Sequence, residues 1–145
     1  MHSSVFESEI GYITIKEEDG LIVAIFFHYE EECPSPLTER AKKEVLEYLE
    51  GRRREFTVPV KAEGTPFQKK AWDAIASIPY GSTLSYKGIG EKIGSKGYQA
   101  IGSACGKNPI PIIIPCHRVV GKDNIGGFSS PLEIKKTLLK LEASI

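Results

Sequence analysis

Asp19-Gly20 stands between two runs of alternating apolar residues, with Ile13 and Ile15 before it and Leu21, Val23, Ile25 and Phe27 after it. That dipeptide between two period-two runs points to an antiparallel hairpin, because both residues tolerate the left-handed backbone that a two-residue turn requires. A small antiparallel sheet is therefore expected near the N-terminus. After Cys33-Pro34-Ser35-Pro36 the period changes, and Ala41, Val45, Tyr48 and Leu49 recur at helical spacing until Gly51 ends the pattern. Residues 51–66 read as an exposed connection that holds one short strand.

From Thr65 onward the punctuation is helical. Thr65-Pro66-Phe67-Gln68 is a capping box with proline at the first helical position, and Phe67, Ala71, Ala74, Ile75 and Ile78 form one apolar face. Pro79 and Gly81 end that helix. Ser85 caps a short helix with Ile89 and Ile93 inward, Gly94 sits at its C-terminal cap, and Ile101, Ala104 and Cys105 resume helical spacing after Gly97. Two short helices joined by a glycine-bearing turn have the outline of a helix-turn-helix, although any helical hairpin shares it. Ser130-Pro131-Leu132-Glu133 is a further capping box, followed by Ile134, Leu138 and Leu141 on one face, which puts Glu142 near the end of the last helix.

Charge divides the chain at the same place. Residues 1–62 carry 8 Lys+Arg against 13 Asp+Glu, a balance of minus five, and residues 63–145 carry 11 against 6, a balance of plus five. The second half is thus the candidate for a polyanionic partner, against the plain alternative of two solvated surfaces of unlike composition. Hydrophobic content of 41% suits a soluble globular chain, and no apolar run approaches the roughly 18 residues that span a bilayer. The first ten residues lack a basic stretch followed by an apolar one, so a cytoplasmic protein is expected. Cys33, Cys105 and Cys116 read as free thiols, and the only near pair of zinc-ligand types, His28 with Cys33, has no second pair to complete a site.

Cys116 follows Ile112-Ile113-Ile114-Pro115. Three isoleucines bracketed by Pro111 and Pro115 read as a short buried strand that delivers the cysteine to the edge of a core. A buried structural cysteine is the common case. Against it stand His117 and Arg118, since clustered cations lower a thiol's pKa and favour the thiolate nucleophile. Neighbours on an extended segment point opposite ways, so a water would bridge Cys116 to His117, and Glu142 is the acid available to orient the imidazole.

The run PIIIPCHRVVGKDNIGGFS, with Asn108-Pro109 just upstream and KKTLLKLE downstream, resembles the O6-alkylguanine-DNA alkyltransferases, the methylated-DNA-protein-cysteine methyltransferases. FQKKAW and GSTLSY also fit. The likeness is close over residues 63–145, whereas residues 1–62 match the variable N-terminal domain of that family in length and outline. It implies an α+β chain with a small antiparallel sheet and helix, ribonuclease H-like, over residues 1–62. Residues 63–145 would form a helical, winged helix-turn-helix-like domain for DNA binding and catalysis.

The resemblance also implies chemistry. Cys116 would take the alkyl group from O6 of a flipped guanine, and O4-alkylthymine would be a second substrate, each molecule acting once and without a metal or organic cofactor. His117 would act as base through a water with Glu142 orienting it, Tyr86 would assist the departing guanine, and Asn108 and Arg118 would brace the turn. Val119, Phe128 and Ser129 would line the base pocket. The second helix of the helix-turn-helix would enter the minor groove of double-stranded DNA, with Tyr98, Gln99, Ala100, Gly102 and Lys107 on the DNA side and small residues, Ala104 included, allowing close approach. A monomer is the default.

Two positions depart from the family pattern. Gln99 stands where the family carries the arginine that fills the gap left by the extruded base; glutamine is shorter and neutral. Tyr98 beside it offers an aromatic ring as a substitute wedge. Phe128 replaces a frequent tyrosine, and Cys105 is expected to serve packing. The rival readings are an alkyl-lesion DNA-binding protein with impaired base flipping because of Gln99, and a thiol hydrolase built on Cys116, His117 and Glu142.

Overall fold

A computed structural model of the protein describes residues 1–121 and 131–143. Its backbone divides into two compact units, Met1–Glu63 and Gly64–Ile145.

The first unit is a three-stranded antiparallel sheet, β1 (His2–Ser8), β2 (Gly11–Glu18) and β3 (Leu21–Phe26), in the order β1-β2-β3. Glu18 pairs with Leu21, so Asp19 and Gly20 form the whole turn, at φ 53° and 78°. Both angles are left-handed, as the primed turns that match strand twist require. β1 carries only Val5 and Phe6 as apolar residues, so its alternation is faint in the sequence.

Helix α1 (Pro36–Leu49) covers one face of this sheet. Ser35 caps it and exchanges hydrogen bonds with Thr38, and Ala41, Val45, Tyr48 and Leu49 are buried along with Ile13, Ile15 and Ile25 of the sheet. At about 1.5–3 kcal/mol per fully buried large apolar side chain, this face is what holds the small unit together. The strand expected in the connection after Gly51 shrinks to one bridge, in which Ile22 donates to the Pro59 carbonyl and accepts from Lys61. Pro59 interrupts anything longer, since it has no N–H to donate.

The second unit is mostly helical: α2 (Pro66–Ala76), α3 (Tyr86–Ile93), α4 (Tyr98–Gly106) and α5 (Leu132–Ala143), with a two-residue parallel pair of β4 (Leu84–Ser85) and β5 (Val119–Val120). Thr65 and Gln68 form the capping box of α2. Ser85 accepts from the Gly88 amide at the start of α3, and Gly94, at φ 70°, ends it. Trp72 on α2 is buried and donates through Nε1 to the Ala104 carbonyl of α4 at 2.9 Å, which ties the two helices together. The turn from α3 to α4 is tight: a Cβ on Gly90 would lie 2.5 Å from the Ser95 carbonyl oxygen and 2.9 Å from Tyr98 Cε1. Ser130, expected to cap α5, lies outside the described residues.

The strand expected over Ile112–Ile114 does not form. Ile112 sits at φ 75°, Ile114 donates to the Ile110 carbonyl at 2.9 Å, and Pro111 bridges back to Ile114. Prolines at 109, 111 and 115 remove donors that a ladder would need, so the segment folds on itself. An isoleucine in the left-handed region is strained by on the order of 1–3 kcal/mol, and burial of its side chain to 1% exposure offsets this. Residues Cys116–Arg118 then form one turn of 3-10 helix, with Arg118 donating from its amide to the Pro115 carbonyl. Cys116 and His117 therefore lie on a helical turn and not on an extended segment.

Candidate active site

Cys116 is fully buried at the start of that 3-10 turn. Asn108 fixes it. The Nδ2 of Asn108 donates to the Ile114 carbonyl at 2.8 Å and to the Cys116 Sγ at 3.1 Å, while its Oδ1 accepts from the Ile110 amide at 2.9 Å. One buried side chain thereby uses both of its donors and its acceptor oxygen on the loop that carries the thiol, which braces the loop around it.

The Cys116 thiol is pushed well up, first by its interaction with the neighbouring Cys105 thiol and then by burial. The Asn108 donor and the Lys135 ammonium pull the other way. The expected lowering by His117 and Arg118 is thus corrected: the cation that acts on the thiol is Lys135. This lysine is fully buried on α5, and its Nζ donates to the Val119 carbonyl at 2.7 Å. Its signal was available, because residues 135, 138 and 142 share one helical face with Leu138 at the centre.

His117 and Arg118 turn instead toward Glu142. His117 Nε2 lies 2.6 Å from Glu142 Oε2, and Arg118 donates from Nε to Oε1 at 2.8 Å and from Nη2 to Oε2 at 2.9 Å. The Gly81 amide donates to Oε1 at 3.2 Å, and Arg118 Nη1 donates to the Ile78 carbonyl at 2.7 Å. The Arg118 guanidinium also lies over the Tyr80 ring, 5.6 Å from its centre. All three partners are buried. Burial is the largest influence on His117 and lowers its pKa, opposed by the Glu142 carboxylate. The imidazole is then neutral at pH 7, its one proton belongs on Nε2 facing the carboxylate, and the buried Nδ1 is left as an acceptor.

The helix-turn-helix residues lie elsewhere on the unit. Tyr98, Gln99 and Ala100 are exposed at the start of α4, Lys107 is exposed just after it, and Gly102 is half-buried. Tyr98 leans its ring edge on Gly90. Tyr86, the first residue of α3, reaches across to α4, where a Cβ on Gly102 would lie 3.9 Å from its ring. Ala104 is buried and carries the carbonyl that Trp72 uses, so it is not among the small residues available to a groove. Val119 is buried in β5, and Phe128 and Ser129 lie outside the described residues. The structure thus brings Cys116, Asn108, His117, Arg118 and Glu142 into one connected cluster.

Among the described residues no group of His, Cys, Asp and Glu is placed to hold a metal ion, and no helix is long and apolar enough to cross a membrane. Cys116 precedes in the chain a neutral imidazole paired with a carboxylate, and once its thiol loses its proton it can act as a nucleophile.

Residues 66–144 match the family description "6-O-methylguanine DNA methyltransferase, DNA binding domain", and residues 1–62 match its "ribonuclease-like domain". A methylated-DNA–protein-cysteine methyltransferase from Methanosarcina acetivorans is 40% identical over 99% of both chains. The constitutive enzyme of that name from Bacillus subtilis is 38% identical over 94% of this chain and 92% of its own. Among solved structures, Mycobacterium tuberculosis OGT in complex with DNA superposes with a TM-score of 0.91 at 34% identity, covering 99% of this chain and 94% of that one.

Proposed function

The chain belongs to the 6-O-methylguanine DNA methyltransferase family, and on that premise we propose that it repairs DNA by taking an alkyl group from O6 of guanine onto its own Cys116. It is an alkyltransferase that acts by single, direct transfer, and DNA is its partner. Support for Cys116 as the acceptor comes from one arrangement: a thiol locked by Asn108 at the start of a turn whose next two residues are held by Glu142.

The sulfur attacks the alkyl carbon in line as the carbon–O6 bond breaks, its electron pair leaving with the guanine while a thioether forms. The thiol proton passes to His117 Nδ1 through a bridging water, and Glu142 stabilises the imidazolium that results. Arg118 holds that carboxylate through two hydrogen bonds. Tyr86 donates toward the departing guanine, and Val119 with the Phe128–Ser129 segment holds the base. O4-alkylthymine is a second substrate of the same pocket.

The target atom lies inside the base stack, so the nucleotide must be extruded at a cost of a few kcal/mol. In this reading α4 lies in the minor groove, with Ala100 and Gly102 allowing close approach, Lys107 near phosphate and Tyr98 or Gln99 filling the gap. Residues 63–145 carry DNA binding and catalysis, residues 1–62 form a separate domain, and the protein works as a cytoplasmic monomer. The second reading, a lesion-binding protein poor at extrusion, draws on the exposed and neutral Gln99.

Intact mass after incubation with a duplex holding one O6-methylguanine, beside a Cys116→Ser control, separates these. A gain of one methyl group that the control lacks is the expected result. Alkylation by free O6-benzylguanine without any gain from duplex places the defect in extrusion, and no gain from either overturns alkyl transfer to Cys116.

A further inference from the structure

Two long side chains stand exposed on α4, Tyr98 and Gln99, and the helix aims them differently. At about 3.6 residues per turn, the buried Ile101, Ala104 and Cys105 mark the inward side of α4, and Gln99 stands nearly opposite them. Ala100, Ser103 and Gly106 are exposed around it and Gly102 is half-buried, all of them shorter than glutamine. Gln99 is thus the side chain that reaches out from that face. Tyr98 lies toward the Cys105 side, and its ring edge covers Gly90 of α3, where an added Cβ would lie 2.9 Å from Cε1 and 3.2 Å from Cδ1. The Ser95 amide donates to the carbonyl of the same glycine at 2.8 Å. The tyrosine is therefore a strut in the turn from α3 to α4, and a ring that left this seat would uncover the turn.

We infer that Gln99 fills the gap left by the extruded guanine and hydrogen-bonds the pyrimidine orphaned opposite it, cytosine and thymine alike, while Tyr98 holds α4 against α3. The inference rests on the reading that α4 enters the minor groove and that transfer follows extrusion. An orphaned pyrimidine turns its pairing edge to a void, and polar atoms left there without partners cost free energy. A carboxamide carries two N–H donors and an acceptor oxygen. Toward cytosine it donates to N3 and accepts from the N4 amine. Turned over about its terminal bond, it accepts from the N3–H of thymine and donates to a thymine carbonyl oxygen.

The consequence is tolerance of either partner base. Alkylation at O6 takes the N1 proton from guanine and lets it pair with thymine as well as with cytosine, so both pyrimidines stand opposite the lesion. A side chain with donors alone would meet the N3–H of thymine without an acceptor to offer it. Gln99 is also neutral and adds no attraction to phosphate, so its contribution depends on an orphaned base being there to receive it.

Single-turnover transfer to the full chain is followed by intact mass with O6-methylguanine placed in a duplex opposite cytosine, thymine or an abasic site. Gln99→Ala should slow transfer from both pyrimidine duplexes about tenfold more than from the abasic one. Tyr98→Ala should slow all of them by one common factor, because it loosens the seat of α4 whatever lies opposite the lesion. Gln99→Ala that changes none of the rates, slows every duplex alike or affects only one pyrimidine overturns the inference, as does a pyrimidine-dependent loss in Tyr98→Ala. Wild-type transfer from free O6-benzylguanine but from no duplex overturns it too, with alkyl transfer to Cys116 intact. No transfer from any of these substrates removes the alkyl-transfer reading and the inference together.

Discussion

Replacing Glu142 by glutamine should unfold the second unit far more easily, and the size of the effect follows from the cluster. Glu142 is 2% exposed and faces His117 Nε2, two nitrogens of Arg118 and the Gly81 amide. Glutamine has the same shape, but it removes the charge and turns an NH2 group toward donors. Arg118 is then a buried cation without its counterion, and losing one partner of a buried pair costs about 3–5 kcal/mol. Because Arg118 keeps its bond to the Ile78 carbonyl, the lower end, about 3 kcal/mol, is expected. With a urea slope of about 1–3 kcal/mol per molar for a small protein, the midpoint falls by on the order of 1–3 M. Trp72 is the sole tryptophan and is buried in this unit, so its fluorescence follows this transition and not that of the first unit. Glu133→Gln is the control, since that carboxylate is exposed on the same helix and its 3.5 Å pair with Lys136 is worth less than about 1 kcal/mol. If the two variants unfold at the same urea concentration, the cluster does not hold the unit together.

Two further outcomes come from the same geometry. Burial holds His117 below its ordinary value of about 6.5. The unfolded chain therefore takes up a proton that the folded one refuses, and stability present above about pH 6.5 is lost as pH falls from there through the folded value. The Trp72 urea midpoint should drop between about pH 7.5 and 5.5, with His117→Gln flattening that drop; equal slopes in the two proteins would remove His117 as its source. Gly90→Ala should cost about 1–3 kcal/mol, because its Cβ would meet the Ser95 carbonyl at 2.5 Å, whereas Gly102→Ala meets nothing nearer than 3.9 Å and should gain up to about 1 kcal/mol of helix propensity. Gly102→Ala should still weaken duplex binding if α4 lies in the groove, as a filter-binding titration would read; unchanged binding would move the DNA contact to another face.

Local signals carried a large share of the fold. The Asp19-Gly20 turn, the Thr65–Gln68 capping box, the Ser85 cap and the Gly94 stop all act within a few residues, so they are legible in a string and appear in the structure where their chemistry puts them. The isoleucine run misled because its pattern fits a strand, while the three prolines around it deny the ladder a strand needs.

In the candidate site the division is similar. The sequence by itself determined that a cysteine, a histidine and an arginine stand side by side and that a carboxylate ends the last helix. Only the tertiary structure decided that Arg118 joins His117 on Glu142, and that Lys135 is the cation that acts on the thiol. These pairings join residues far apart in the chain, such as Arg118 with Glu142, 24 positions on, and with Ile78, 40 positions back. Spacing within one element says which side chains share a face; it cannot say which charges meet in a core, because burial and desolvation act on whatever packing brings together.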